Sequence, residues 1–473
     1  MIVALRNARS PLGPAFPLVH AVPLTNPSTF NAVSRRDFVK AGLFAGVSVM
    51  TVPGVARSYA RNEKLRMALI GAGGRAGAGV GPSLGEHLVA VAEVDLEGRA
   101  KGNLDKIRKE SPDTKVYTDY RQLFDKHGDL EAVWVGTPDH THFGASIRAL
   151  EAGAGVYCEK PLTWAVNEAR TLREVAKKKG AATQMGNQGH SSESIRQIVE
   201  YIRSGSLGEV KEVHCISNRR FSAKDRPASK PVPAGLDWEA WLGPASYREY
   251  HDGLHPFNWR GYLEFGSGSL GDMGCHTIDG ALWALKLTEA PSFEVECEYG
   301  EPTAEGYPPE AIIVYRFPAM GDQPAVTFKW FHGGKLPPRP DGLPETEKML
   351  SEGSYYLGSQ GLMSSGSHCQ NVRLHPESFA KETPEPAKTI ARSPHGHTGD
   401  FLAACKDKSA PAPSSNFDYA ARLTEIVLLG NIACLTGEKL NYDMQQGRVT
   451  NNDKANALLV RNPRKGWEAG YES

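Results

Sequence analysis

The chain has 473 residues, 54 Lys and Arg against 54 Asp and Glu, and a formal net charge of zero. That length is material for two or three domains, and 40% apolar with 23% charged residues is ordinary globular composition. Charge balance removes the electrostatic footprint of a nucleic-acid binder, and the composition excludes a collagen, a coiled coil and an integral membrane bundle.

Residues 34–40 read S-R-R-D-F-V-K and precede an apolar run at 41–52, with small residues at Ala56 and Ala60. A basic segment, a short apolar core and a small-x-small exit form a secretory signal, too short to remain as a membrane span. Arg35 and Arg36 with Phe38 and Lys40 resemble the twin-arginine export motif. Residues 1–60 are therefore expected to be an N-terminal extension and export signal, cut after Ala60 or Ala56. The mature protein is expected to be periplasmic or otherwise outside the cytoplasm.

The next element is a short apolar strand at 65–70, followed at once by Gly71, Ala72, Gly73, Gly74, Arg75 and Ala76. This is G-x-G-x-x-A between a strand and a helix start, the setting a dinucleotide turn requires. Gly71 permits the turn, Gly73 lets backbone approach a pyrophosphate, and Ala76 allows close packing of helix on strand. Free amides at the helix start would face the phosphates. Glu93 ends a second strand at 88–94, about 20 positions after the first glycine, where the ribose-binding acid belongs. A carboxylate there favours NAD over NADP; Asp95 is the other candidate, and a solvated acid at a strand end is the bland alternative.

Further strands are expected at 115–117, 130–136, 155–159 and 181–186, with helices at 143–152 and 166–179. Alternation of this kind predicts a parallel, doubly wound Rossmann sheet over 61–188 with ligands at the carboxyl ends of its strands. T-P-D-H-T-H at 137–142 and Glu159-Lys160-Pro161 both fall at such ends. A Lys160 ammonium beside a nicotinamide can stabilise a developing alkoxide, although E-K-P alone is equally a surface lysine before a proline turn. Asp272, His276 and Asp279 follow a glycine-rich entry at spacings of four and three, which places them on one helical face. An imidazole there can take a hydroxyl proton and a carboxylate can orient it; acids capping a helix would give the same spacing.

Together these motifs resemble the Gfo/Idh/MocA oxidoreductases, over essentially the whole mature chain. The exported branch is suggested by Asp237-Trp238, Trp241 to Pro244, Trp259-Arg260-Gly261 and Arg464 to Trp467. The resemblance implies NAD-linked oxidation of a sugar, glycoside or polyol hydroxyl, with NADP less suited. It assigns Lys160, Asp272 and His276 to catalysis and Asp279 to the substrate pocket. It also puts Thr137, Pro138, His142 and Glu159 beside the cofactor. The departures are Glu93, where relatives usually carry Asp, and Ala76, where the nearest relatives often have Gly.

From residue 189 to 473 the resemblance implies a substrate-binding and oligomerisation α+β domain with an open, mostly antiparallel sheet, and a homodimer or homotetramer. Strands are expected at 210–217, 292–299, 311–317 and 325–331. The aperiodic, aromatic-rich stretch 221–265 is long for a loop, as binding loops and lids are. Trp238, Trp241, Trp259 and Tyr262 are candidates to stack on a sugar, against the plainer expectation that they are core. His397 and Asp400 open a helix placed near the active site. The seven cysteines (Cys158, Cys215, Cys275, Cys297, Cys369, Cys405 and Cys434) show no C-x-x-C spacing, and the paired histidines at 140/142 and 395/397 have no acidic or thiol partner at ligand spacing. No metal site is expected.

Free NAD is scarce outside the cytoplasm, so an exported enzyme is expected to hold its cofactor tightly and recycle it. Two other functions fit the same residues: glycoside hydrolysis or elimination through transient oxidation, and non-catalytic sugar binding on the same fold. Relatives that cleave in this way tend to lose the E-K-P lysine, which this chain keeps.

Overall fold

The computed structural model describes residues 63–223 and 225–471, which fall within one compact unit, so the export signal expected within 1–60 lies outside the described residues. The strands β1 (Arg66–Ile70), β2 (His87–Ala92), β3 (Lys115–Tyr117), β4 (Ala132–Val135), β5 (Gly155–Cys158) and β6 (Thr183–Met185) pair in parallel, in the order β3-β2-β1-β4-β5-β6. They are short runs of small and β-branched residues, and β4 and β5 are buried at every position. Burial on both faces is why they read as continuous apolar runs. The strand order reverses between β1 and β4, where a crevice opens beyond their carboxyl ends. The crossover helices His142–Glu151 and Val166–Lys179 lie where the pattern predicts, and the second ends in three lysines and a left-handed Gly180 (φ 58°).

A second sheet has nine strands: β7 (Val210–Ser217), β8 (Ser292–Tyr299), β9 (Ala311–Phe317), β10 (Val326–His332), β11 (Gly353–Gly358), β12 (Leu362–Ser365), β13 (Arg373–His375), β14 (Leu440–Asp443) and β15 (Arg448–Val449). Their order is β13-β12-β11-β7-β10-β9-β8-β14-β15. Every pairing is antiparallel except β7 with β10. The first four of its expected strands are present within one residue of the predicted bounds.

The helix Phe417–Thr436 joins the two sheets. It is capped at its start by Asn416, ends at left-handed Gly437 (φ 65°), and packs on Val166–Lys179, on the helix Gly268–Thr277 and on β8. It is long and apolar enough to cross a bilayer, but 78% of that window is buried inside the protein. An all-round apolar helix is what such a central position demands. The helix Gly396–Lys406 also returns to the first sheet, where Phe401 packs with Trp134 and Tyr157. Division near residue 188 thus separates the strands but not the helices.

Candidate active site

A cleft of ≈ 390 Å³ runs along the carboxyl ends of β1, β2, β4 and β5, and its walls include Gly71, Gly73, Gly74, Arg75, Glu93, Asp95, Thr137, Pro138, His142, Glu159 and Lys160. Gly71 has φ +87°, and a Cβ there would stand 3.1 Å from the Gly136 carbonyl oxygen. Glycine is required by both conformation and space. Across the same seam a Cβ on Gly136 would stand 2.7 Å from the Ala76 Cβ, so the turn, its helix and β4 are packed as closely as backbone allows.

Glu93 is more deeply engaged than a free ribose acid. Its Oε2 accepts from the amides of Ala72 (2.7 Å) and Gly73 (3.1 Å), and its Oε1 from the amide of Asp95 (2.9 Å). Burial raises its pKa against these three amides, which favour the anion. The carboxylate clamps the turn, and two of the amides expected to face phosphate are occupied. One of its roughly four acceptor positions remains. Asp95 accepts from the amides of Gly98 (2.9 Å) and Arg99 (3.2 Å) and from His255 Nε2 (2.8 Å). A continuous trough, a glycine-rich turn and two acids at its ribose end suit a dinucleotide.

At the other end stands Lys160, just past β5. Its Nζ donates to the backbone oxygen of Asp272 (2.5 Å) and to Asp272 Oδ1 (3.0 Å). Arg260 Nε donates to the same Oδ1 at 3.2 Å, and Arg219 Nε lies 3.8 Å from Oδ2. Burial opposes ionisation of Asp272, but Lys160 and Arg260 outweigh it and hold the carboxyl below its usual pKa.

His276 sits one turn further along the helix Gly268–Thr277, nearly buried, with Nδ1 lacking a hydrogen-bond partner. Burial first, then Lys160, push its pKa well below 6.5, so the ring is neutral at pH 7. Lys160 lines the cofactor cleft, whereas Asp272 and His276 are not among its walls; the Lys160 ammonium, bonded to Asp272, lies close enough to His276 to depress its pKa.

Two expectations need correction. Asp272 does not hydrogen-bond His276; its carboxylate turns to Lys160 and Arg260, whose charges attract it more strongly than a neutral imidazole. Asp279 does not extend the same helical face, because the helix stops at Thr277 and Asp279 opens the next one, Asp279–Ala284. There it accepts from Asn187 Nδ2 (2.9 Å) and Tyr419 OH (2.6 Å) and pairs with His190 Nδ1 (2.9 Å). It is 1% exposed and, like Asp272 and His276, is not among the walls of the cofactor cleft.

The remaining predicted residues are tied as follows. Glu159 Oε2 pairs with Arg75 Nε at 3.2 Å while its Oε1 is buried without a partner, and burial raises its pKa against Arg75. His142 bridges two loops, with Nδ1 2.8 Å from the Pro161 oxygen and Nε2 2.9 Å from the Thr137 oxygen. Thr137 Oγ1 is buried without a partner. Trp259 lines the cleft with the Arg260 guanidinium 4.2 Å from its ring centre. Trp238 stacks on Trp241 at 4.6 Å and Tyr262 lies under Arg248, both in the core of the loop. His397 hydrogen-bonds the Met185 oxygen at 2.7 Å, and burial lowers its pKa to about 3. Asp400 accepts from the amide of His395.

Sequence reasoning missed how the aromatic stretch 221–265 closes over the site. Leu96 N donates to the Gly235 oxygen (3.1 Å) and Asp237 N to the Val94 oxygen (2.8 Å), so the stretch is strapped to the edge beyond β2. Trp241, His255, Pro256, Phe257 and Arg260 then wall the cleft from outside. In the sequence Trp241 was a stacking candidate and the W-R-G triplet at 259–261 carried Arg260, while nothing signalled His255, Pro256 or Phe257.

Comparison with known proteins places the chain among oxidoreductases. Residues 65–187 match the model of an oxidoreductase family's NAD-binding Rossmann fold, and residues 194–317 match the C-terminal alpha/beta domain of the same family. An inositol 2-dehydrogenase of Salmonella typhimurium is 31% identical over 151 residues, 32% of this chain and 43% of that one. A levoglucosan dehydrogenase of Pseudarthrobacter phenanthrenivorans is 27% identical over 169 residues, 36% of each chain. The matched segments thus span about half or less of these curated relatives. Among solved structures, an inositol dehydrogenase homolog from Azotobacter vinelandii complexed with NAD+ superposes with a TM-score of 0.52 at 20% identity, covering 82% of this chain and 100% of that one. The WlbA dehydrogenase of Bordetella pertussis, in complex with NADH and UDP-GlcNAcA, gives 0.55 at 13% identity, covering 80% and 98%.

Proposed function

The chain belongs to the Gfo/Idh/MocA oxidoreductase family, and from that premise we propose that it oxidises a hydroxyl of a sugar, glycoside or polyol with NAD. The observation that carries this reading is that Lys160, in the wall of the cleft, is held by Asp272 and acts electrostatically on His276, one helical turn further on. Bound nicotinamide supplies the acceptor for hydride. The protein's part is to place the hydroxyl and move its proton. An ammonium has three donors, and two of those on Lys160 are engaged by Asp272. The third is left for the substrate oxygen, whose growing negative charge it stabilises. His276, neutral at pH 7, accepts the hydroxyl proton. Asp272 fixes Nζ rather than the imidazole and is a positioning residue.

At the far end, Glu93 and Asp95 put two carboxylates at the ribose position, which disfavours the 2′-phosphate of NADP. The strap over 235–260 supports a second part of the proposal, that NAD is held through many turnovers. Retention suits export through the signal containing Arg35 and Arg36. The test is to acid-quench freshly purified protein, assay released NAD, and screen neutral and acidic sugars, glycosides and polyols for appearance of the reduced nicotinamide absorbance. About one NAD per chain and reduction by at least one compound are expected. Cofactor-free protein would remove retention, and no reduction by any compound in NAD-saturated protein would remove the dehydrogenase.

A further inference from the structure

We propose that the substrate carries a carboxylate, received by Arg219 beside the reacting hydroxyl; this rests on the dehydrogenase reading and narrows it to sugar acids. Four cations cluster about Glu159 and Asp272, and three of them are tied to those carboxylates. Arg75 is paired with Glu159, and Lys160 and Arg260 with Asp272. Arg260 is further engaged by the Phe257 oxygen and by the faces of Trp259 and Phe257.

Arg219 is different. It follows β7, its side chain is 47% exposed, and its guanidinium makes one contact among the described residues, Nε to Asp272 Oδ2 at 3.8 Å. That is beyond hydrogen-bond distance, so its donor fork is open. The other carboxylates nearby do not fill it. Asp139 is buried, accepts from Ser267 at 2.6 Å, and burial raises its pKa; Glu352 bears on His368 but makes no ion pair with Arg219 among the described residues.

His368 completes the position. Its ring centre lies 4.2 Å from that of His276, and its side chain is exposed. Burial of part of the ring, then Lys160, lower its pKa; Glu352 opposes this and Arg75 and Arg219 add to it, so all four charges lie within reach of the ring. Arg219 and His368 are not in the walls of the cofactor cleft. They flank Lys160, Asp272 and His276 where a substrate must lie if its hydroxyl is to reach Nζ. A planar fork with open donors next to a surplus of positive charge matches a planar carboxylate better than a hydroxyl or a tetrahedral phosphate.

The test is equilibrium binding, by calorimetry at low ionic strength, of a hexuronate, the matching neutral hexose and its phosphate ester to the NAD-saturated full chain. Binding of the hexuronate at least about tenfold tighter than the hexose is expected from one charge-assisted pair. R219Q should abolish that preference and R219K should retain part of it. A hexose bound as tightly as the hexuronate, a phosphate ester bound more tightly, a preference that survives R219Q, or no binding of any of the three would each overturn the proposal. Reduction of NAD by the neutral hexose in such a case leaves the dehydrogenase standing. A hexuronate preference without NAD reduction by any sugar removes the dehydrogenase alone.

Discussion

The reacting corner and the strap that covers it are built by different means. Lys160, His276 and the glycine turn each stand on a local element that the sequence announces: a strand end, a helix turn, a residue that tolerates positive φ, with Asp272 and Glu93 then holding the lysine and the turn. The strap is fixed from afar, by two backbone hydrogen bonds to the segment after β2, by His255 on Asp95, and by a stack of aromatic rings. On the proposed function the first arrangement supplies the chemistry and the second governs access and residence. Substitutions in the two regions should therefore fail in different ways.

The largest effect is expected in the corner. His276→Asn should lower kcat by about 10²- to 10⁴-fold, the range for losing a positioned acid-base group, and should flatten the pH dependence of kcat, measured in steady state. Gly71→Val comes next, since a β-branched residue at φ +87° is strained by about 1–3 kcal/mol and its Cβ presses on the Gly136 oxygen. NAD affinity by fluorescence titration should fall by about tenfold or more, with a lower melting temperature.

These two positions were legible in the sequence because each motif describes its own local geometry. Twelve strands and helices were legible for the same reason. The short strands β11 to β15 were not, because runs such as Leu362–Ser365 or Arg373–His375 carry too few residues to show a period of two. The partner of Asp272 and the helix of Asp279 were misread because spacing gives a face but neither the competitors for a carboxylate nor a break in the helix. Lys160 lies more than a hundred positions from Asp272 and claims it, while a helix break at Ile278 turns Asp279 toward His190. Arg219, His255 and Arg260 lie in aperiodic chain and acquire meaning only from what folding brings beside them.

A smaller effect belongs to the strap. His255→Ala removes its hydrogen bond to Asp95 and should speed dissociation of bound NAD by about tenfold, followed by dilution into an NAD trap. A dissociation rate unchanged in that variant would separate the strap from retention.

The smallest effect near neutrality is acid sensitivity at the seam between the two regions. His140 hydrogen-bonds the Trp241 oxygen at 2.9 Å and sits 3.3 Å from the Phe265 oxygen, both in the strap. Burial lowers its pKa from 6.5 to about 3. Between those values the unfolded chain binds a proton that the native chain refuses, so stability falls as pH drops below 6.5. The slope is about 1.4 kcal/mol per pH unit for each such group. Denaturant titrations from pH 7 to pH 5 should show it, and His140→Asn should lower the slope.

The most direct measurement is a single turnover of NAD-loaded protein with its sugar substrate, followed by the rise of reduced nicotinamide absorbance in wild type and Lys160→Ala. The account predicts that the variant, at saturating substrate and with NAD still bound, reduces its cofactor about 10²-fold more slowly or worse. Equal rates in the two proteins would contradict it.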